Sequence, residues 1–564
     1  MDITLDDRLS AFQQISQRKF VEILDAIPGT KDFIIEDKLM KILDSFVGVS
    51  VLRKYGVDKL FKFTQGLRPT NSQRIYVLSC DLVVCQHAFD QIRSEILQTS
   101  GLSHHLLIAP SIPIALDNLL EENGLYGQVT MRPLSWELIR IDGNVLSLEI
   151  PMFTDLFYHK DTSLLPALAK SLWTLRMILG APNFSLALGK HSQQILKMIP
   201  AIDESLSSPS PKEKIGALII MDRNKDFVST LLKPVTYLGL IGEVMEINIG
   251  LVTFEKSKVA LDPVKDQVYS EVRDKHFCEA FDLLRKKAKA LKSEQENINL
   301  QSMKVSEMGH YIKTTLKKTT KTKQELEFHL CACEAAINAF SLNFDVLQSV
   351  ETSSLQGSQR SECLDYILRN MDDNPYQSLK LLSLLSITSD GVTNNEIQSL
   401  QKAHLHAHGY QNIPLFYKME IAGLLAMKSE NIMRLPNWMS KWTANAKRLK
   451  LLPLKNVDVK GPTCSSYVFN GSYIPVIAQV LSIVVTRATD PKNFEELTNT
   501  VGCVFSGNQG PINPQTVVVC VVGGITYSEI CACRLIEKLA GIRLVLVSDC
   551  ILTGTKMIES LKNA

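Results

Sequence analysis

No sign of charge dominates this chain. Against 61 lysines and arginines stand 59 aspartates and glutamates, leaving a formal net charge of +2, so no overall field directs the molecule at nucleic acid or an anionic bilayer. Any basic site must be local. The twelve cysteines never form a C-x-x-C, and the closest pairs, Cys331/Cys333 and Cys531/Cys533, are C-x-C, which suits neither a zinc ligand set nor a redox pair. They read as small apolar side chains in a reducing compartment. The opening Met1-Asp2-Ile3-Thr4-Leu5-Asp6-Asp7 has no basic stretch followed by an apolar one, so no signal peptide is expected and the protein should stay in the cytosol.

Long apolar runs are missing too. Gly461 to Thr486 carries no charge over 26 residues, but its apolar part runs only from Tyr473 to Val485 and contains Pro475, short of the ~20 residues a spanning helix needs. A buried element is expected there. Nucleotide and nucleophile signatures are absent as well. Gly189-Lys190 runs into His191, and Phe184 stands where a P-loop has glycine; no G-x-G-x-x-G follows a candidate strand and no G-x-S-x-G occurs. His404-Leu405-His406-Ala407-His408 sets His404 and His408 one helical turn apart, where they could share a metal, but no Glu of an H-E-x-x-H motif accompanies them. An exposed turn before Gly409 is the plainer reading, and no metal or cofactor is expected. No internal repeat has a fixed period.

What the chain does have is alternation. Apolar runs at 31–36, 58–63, 74–80, 104–109 and 128–131 are separated by amphipathic stretches, among them Ala88 to Leu97, with Phe89, Ile92 and Leu97, and Ala115 to Glu122. Strand, helix, strand at this spacing predicts a mostly parallel sheet. Leu164 to Leu179 reads as a helix with Pro166 in its first turn, and Ser205 to Pro211 as a surface loop. Ile215 to Met221 suits a strand buried on both faces, and matching runs occur only at Thr516 to Val522 and Ile542 to Val547. Between them the period is helical: Phe277, Phe281, Leu284, Ala288 and Leu291 make one stripe, Leu326, Leu330, Cys333, Ile337 and Phe340 another, and a further helical block follows Asp373-Asn374-Pro375. The simplest topology is a second α/β domain interrupted by a helical insertion.

Asp222-Arg223-Asn224-Lys225-Asp226, with Thr230 after it, closes the central strand. Two carboxylates bracketing an arginine there either fix the following loop as a charge-assisted pair or form a phosphate or acid/base site, since open α/β sheets bind ligands at strand ends. The same stretch resembles the D-R-x-x-D motif of the Sec/Munc-like (SM) protein family. Val268 to Phe277, Leu384 to Gly391, Ser466 to Pro475 and Val522 to Ile530 resemble further SM motifs, in the family's order. The opening Leu24-Asp25-Ala26-Ile27-Pro28-Gly29-Thr30 and Val57 to Lys62 favour its lysosomal class, B type, over the plasma-membrane class; Asn470 stands where the family usually has glycine.

The resemblance implies an α/β plus α fold: a three-domain arch of two parallel-sheet α/β domains with a large helical domain inserted in the second. The expected boundaries are 1–140, a split second domain at 141–262 and 481–564, and helical parts at 263–370 and 371–480. It implies a non-enzymatic protein that binds SNARE proteins and templates or protects their assembly. A helical vacuolar-sorting adaptor of a tethering complex would hold it peripherally on late endosomal, lysosomal or recycling endosomal membranes. Eleven lysines and arginines but only Glu294, Glu296 and Glu307 lie between Arg285 and Lys323, and Lys313, Lys317 and Lys321, with Lys318 beside them, line one helical face. That face is either solvated surface or an electrostatic guide for an acidic partner helix; the resemblance makes it the SNARE-binding candidate. By the same resemblance Leu415, Phe416, Leu424, Leu425 and Met427 are candidate adaptor contacts. The competing expectation is an α/β enzyme using Asp222, Arg223 and Asp226, which requires a pocket exposing both carboxylates.

Overall fold

The five apolar runs near the N-terminus pair as a parallel sheet in the order β2-β1-β3-β4-β5, formed by β1 (Lys31–Ile35), β2 (Val57–Lys62), β3 (Gln73–Ser79), β4 (Ser103–Ala109) and β5 (Val129–Pro133). The computed structural model in which they are seen describes residues 4–64, 66–206, 211, 213–254, 257–297, 317–340, 343–428, 441–453, 458–508 and 510–564. The chain divides into two compact units, one of Met1–Arg140 with Pro166–Leu179, the other of Ile141–Leu165 with Gly180–Ala564.

In the first unit Ile34, Tyr76, Leu78, Leu106 and Ile108 meet Phe89 and Ile92 of helix Leu82–Gln98 and Leu116 of helix Ile114–Glu122 in one core. Leu97, expected on that apolar face, is 81% exposed. Ile96 packs on the core instead, and Leu97 lies about 100° further round the helix. Polar groups in this interior are bound to each other. Arg74 Nη1 lies 2.9 Å from Asp32 and its Nε 3.1 Å from Glu95, which also accepts from Tyr76 at 2.7 Å and meets His104 at 3.0 Å. Against the cost of burial, the hydrogen bonds from His104 and Arg74 hold the Glu95 carboxyl down at about 2.

The second unit is built on a sheet whose neighbours are far apart in sequence. Six of its seven strands are β6 (Val145–Ser147), β7 (Phe184–Leu188), β8 (Ala217–Asp222), β9 (Cys503–Gly507), β10 (Thr516–Val522) and β11 (Arg543–Ser548), and across the sheet they run β9-β7-β8-β10-β11-β6. β9 is antiparallel to β7; the others are parallel. Ala217 lies opposite Val517 and Ile220 opposite Cys520, so the two apolar runs expected to match do pair. Both strands are buried along their whole length, which is why they read as continuous rather than alternating apolar runs.

The helices used below are α1 (Lys190–Leu206), α2 (Tyr237–Val244), α3 (Lys317–Phe340), α4 (Phe344–Gln356), α5 (Pro375–Thr388), α6 (Ile413–Ala422) and α7 (Tyr527–Ala540). α1 runs two residues into the expected loop at 205–211, of which 207–210 lie outside the described residues. α5 begins where the sequence indicated: Asn374 caps it, accepting from Tyr376 and Gln377 N–H, with Pro375 in the first turn. On α3 the buried face is Leu326, His329, Ala332, Cys333 and Ala336, and Ile337, placed in the expected stripe, is exposed. The charge-free segment yields the 11-residue helix Val476–Thr486, buried on most of its length. No single helix among the described residues is long and apolar enough to cross a membrane.

Candidate functional site

The loop after β8 gathers three of the sequence motifs around one arginine. Asp222, the last residue of β8, accepts the backbone N–H groups of His191 (2.9 Å) and Ser192 (2.7 Å) and the Ser192 hydroxyl, so it caps the start of α1. A Cβ at Gly189 would stand 2.3 Å from the Asp222 carboxylate. The Gly189-Lys190 pair therefore marks a close packing of chain segments rather than a phosphate cradle. Arg223 forms a bidentate pair with Glu529 of α7, 2.7 Å at each oxygen, and also donates to Gly524 O at 3.1 Å and to Asp226 O. Asp226 accepts Ser229 N–H (2.9 Å) and hydroxyl (2.6 Å), the Tyr473 hydroxyl (3.0 Å) and Val476 N–H (2.9 Å).

Asp222, Arg223 and Asp226 are all buried. A cavity of about 250 Å³ bordered by Lys225, Asp226, Trp442 and Tyr473 lies beside them, but both oxygens of Asp226 are already taken by four donors. The acid/base or phosphate reading of this triad is therefore corrected: neither carboxylate is presented to a ligand, and both terminal nitrogens of the guanidinium are engaged by Glu529 and backbone carbonyls, with only the buried Nε unpaired. Sequence reasoning missed Glu529 as the partner, although Thr526-x-x-Glu529 is a capping box and the structure shows both halves of it.

The Val268 to Phe277 motif joins a second network, with Tyr467 of the Ser466 to Pro475 motif. Tyr269 donates to Asp142 at 2.9 Å; Arg534 of α7 pairs with Asp142 and Asp274 at 3.0 Å each; Tyr467 donates to Asp274 O at 2.9 Å. Gly523 and Gly524 turn the chain from β10 to α7 at positive φ, and a Cβ on them would strike Phe157 at 2.8 Å and Leu552 at 2.6 Å. Asn470, where the family usually has glycine, sits at φ +52°, a left-handed conformation that asparagine tolerates better than most side chains.

Of the basic face, Lys313 lies outside the described residues, and Lys317 and Lys318 open α3 with only their backbone described. Lys321 is exposed and engaged with its own chain, 3.3 Å from Glu325 and 2.6 Å from Lys265 O. Among the neighbouring cations on helix Phe277–Asn297, Arg285, Lys286 and Lys289 are exposed, and Lys287 pairs with Glu271 at 2.8 Å. That helix packs on α3.

The adaptor candidates divide. Leu415, Phe416, Leu424 and Leu425 are buried in their own unit, and only Met427 is exposed. Burial of Leu415, Phe416 and Met419 on one side of α6 leaves Ile413 and Tyr417 outside, together with Tyr410; the helical period held that signal. The histidine pair is a correction too. His404 lies inside helix Asn394–His408, buried, its ring 5.5 Å from Phe416 and 4.9 Å from His408. Burial, then the neighbouring His408, push its imidazole down to about 4. His408 Nε2 meets Met371 O at 2.7 Å, and no metal-binding group of three ligands occurs among the described residues.

Vacuolar protein sorting-associated protein 33B of Rattus norvegicus is 25% identical over 98% of this chain and 97% of its own length. The vacuolar protein-sorting-associated protein 33 homolog of Arabidopsis thaliana is 23% identical over the same shares. Two solved structures share the fold: the Unc18–syntaxin 1 complex from Monosiga brevicollis (TM-score 0.60, 15% identity, 98% of this chain and 99% of that one) and the SM protein Vps45 in complex with the Qa SNARE Tlg2 (TM-score 0.61, 14% identity, 98% of both). The family model of the Sec1 family matches residues 31–560, and the chain belongs to that family.

Proposed function

We propose that this protein is an SM scaffold that binds unpaired or half-zipped SNARE helices, holds them in register and so promotes their assembly in endosome-to-lysosome trafficking. The likeness over nearly the whole chain to proteins solved in complex with SNAREs carries this reading. Its catalysis is templating: prior alignment removes part of the orientational entropy cost of association. The burial of Asp222, Arg223 and Asp226 in their own network supports a role in binding rather than bond chemistry.

Pairing of Ala217 with Val517 supports reading 141–262 and 481–564 as one split domain, with 263–370 and 371–480 as the inserted helical parts. Within the insertion, Lys313, Lys317, Lys318 and Lys321 supply the guide for an acidic SNARE helix. A helical vacuolar-sorting adaptor holds the protein peripherally at late endosomal, lysosomal or recycling endosomal membranes. Its contact on and beside α6 uses the exposed Tyr410, Ile413, Tyr417 and Met427, in place of the buried Leu415, Phe416, Leu424 and Leu425. Reversing charge at Lys313, Lys317 and Lys321 together should weaken SNARE capture several-fold in a low-salt pull-down and matter less at high salt. Capture unchanged at low salt would remove the basic face from this account.

A further inference from the structure

Outside the carboxyl ends of the neighbouring parallel strands β6 and β11, the second unit holds a cavity of about 260 Å³. Open α/β sheets bind ligands at such strand ends, and an apolar cavity of ~150 Å³ is already enough to take up benzene. Glu149, two residues beyond β6, borders the cavity with Tyr527 from the start of α7 and Lys556 from helix Gly554–Asn563. Ile141, Phe153, Ile249 and Leu552 make its apolar wall.

The three polar groups are not consumed by the fold. Tyr527 is 7% exposed, its ring fixed against α2, where a Cβ at Gly242 would stand 2.4 Å from it. Its hydroxyl has no hydrogen-bond partner among the described residues, and the charges that act on it are those of Glu149 and Asp142. Glu149 is half-buried and accepts the Ser147 hydroxyl at 2.6 Å through Oε1, while its Oε2 has no partner among the described residues. Lys556 is exposed, and its ammonium pairs with neither Glu149 nor any other described residue. A carboxyl group and an ammonium thus border one cavity without meeting.

The backbone of this wall is strained. Glu149 sits at φ +55° and Ile249 at φ +52°, a left-handed conformation uncommon outside glycine and an outlier for a β-branched residue. The turn at Ile249 is pressed so close that a Cβ on the next residue, Gly250, would stand 2.4 Å from Ile141 O. Strain of this kind persists where the surroundings enforce it, and it gathers at ligand sites. Burial raises the Glu149 carboxyl from its ordinary value, opposed by the Ser147 hydrogen bond and then by Lys556; a docked ammonium would favour the carboxylate form.

We propose that this cavity binds a free α-amino acid with an apolar side chain. The ligand's ammonium docks between the Glu149 carboxylate and the Tyr527 hydroxyl, its carboxylate meets the Lys556 ammonium, and its side chain lies on Ile141, Phe153, Ile249 and Leu552. A wholly apolar ligand would cover Glu149 and Tyr527 without giving them partners, at a cost in desolvation. A ligand with one charge would serve only one side of the cavity.

Calorimetry on the full native chain, with L-leucine as the probe, tests this. L-leucine should bind with a Kd at or below about 1 mM, and both leucinamide, which lacks the carboxylate, and 4-methylpentanoate, which lacks the ammonium, at least about tenfold more weakly. Lys556→Met should weaken leucine about tenfold and leave leucinamide unchanged. Glu149→Gln should weaken both; should it fail to fold, Lys556→Met, at an exposed position, still decides. No leucine binding at about 10 mM overturns the proposal. Leucinamide binding as tightly as leucine overturns the free amino acid in favour of a peptide N-terminus, and undiminished leucine binding by folded Lys556→Met overturns the two-sided recognition.

Discussion

Two buried charge clusters stand close together in the second unit and are treated in opposite ways. Around Arg223 the acidic partners are fully engaged: Glu529 meets it with both oxygens, and Asp226 accepts four donors. Around Lys233 two ammonium groups lean on Glu243, while Glu351 receives one backbone N–H. The first arrangement leaves neither carboxylate of the loop free, only the buried Arg223 Nε without a partner, and welds distant segments. The second tolerates the cost of under-paired charge, with Glu351 of α4 bordering a cavity. Sequence motif strength and chemical availability therefore run in opposite directions here.

The sharpest way to break the comparison is at Arg223. Arg223→Met strands Glu529 inside the unit and should cost about 3–5 kcal/mol, read as a shift of the denaturant midpoint. Arg223→Lys should not restore it, because an ammonium cannot reproduce the two-pronged pairing. Loss below 1 kcal/mol would mean that the loop is not held by this pair.

Glu351 should behave differently. Burial above all pushes its carboxyl from 4.5 up to about 7, so the folded chain keeps a proton that the unfolded chain has lost. Stability then declines as pH rises from about 4.5 to about 7. Glu351→Gln, which stays neutral, should flatten that part of the stability profile at little cost below it. An unaltered slope would place the proton elsewhere in the cluster. The smallest effect is expected on the basic face: reversing Lys313, Lys317 and Lys321 should leave the unfolding free energy, read from denaturant titration, within about 0.5 kcal/mol of that of the unaltered chain. A larger loss would make the basic face part of the fold.

Much of this fold was legible in the sequence because local patterns sufficed. The five strands of the first sheet and the capped start of α5 follow from apolar period and from Asn374-Pro375. Orientation at helix edges was less legible: Leu97 and Ile337 belong by spacing to an apolar stripe, and the packing surface ends before them. His404 illustrates the same limit, since tertiary contacts such as that with Phe416 make that imidazole a core residue. At the motif loop the sequence supplied Asp222, Arg223 and Asp226 but left their role open between structure and chemistry. That choice turned on Glu529 and Tyr473, which tertiary contact alone brings to them. The Lys233 cluster draws on four segments between 233 and 380, and no local pattern joins them.

The pairing of β8 with β10 has a consequence for synthesis on the ribosome. Partners about 300 residues apart imply that, at 5–20 residues per second, a nascent chain carries the apolar β8 with that edge open for roughly 15–60 s. Until the last strands emerge, the newborn polypeptide is exposed to aggregation and depends on holding factors. A premature stop before Thr516 would leave that edge open for good, turning a small truncation into loss of the whole second unit.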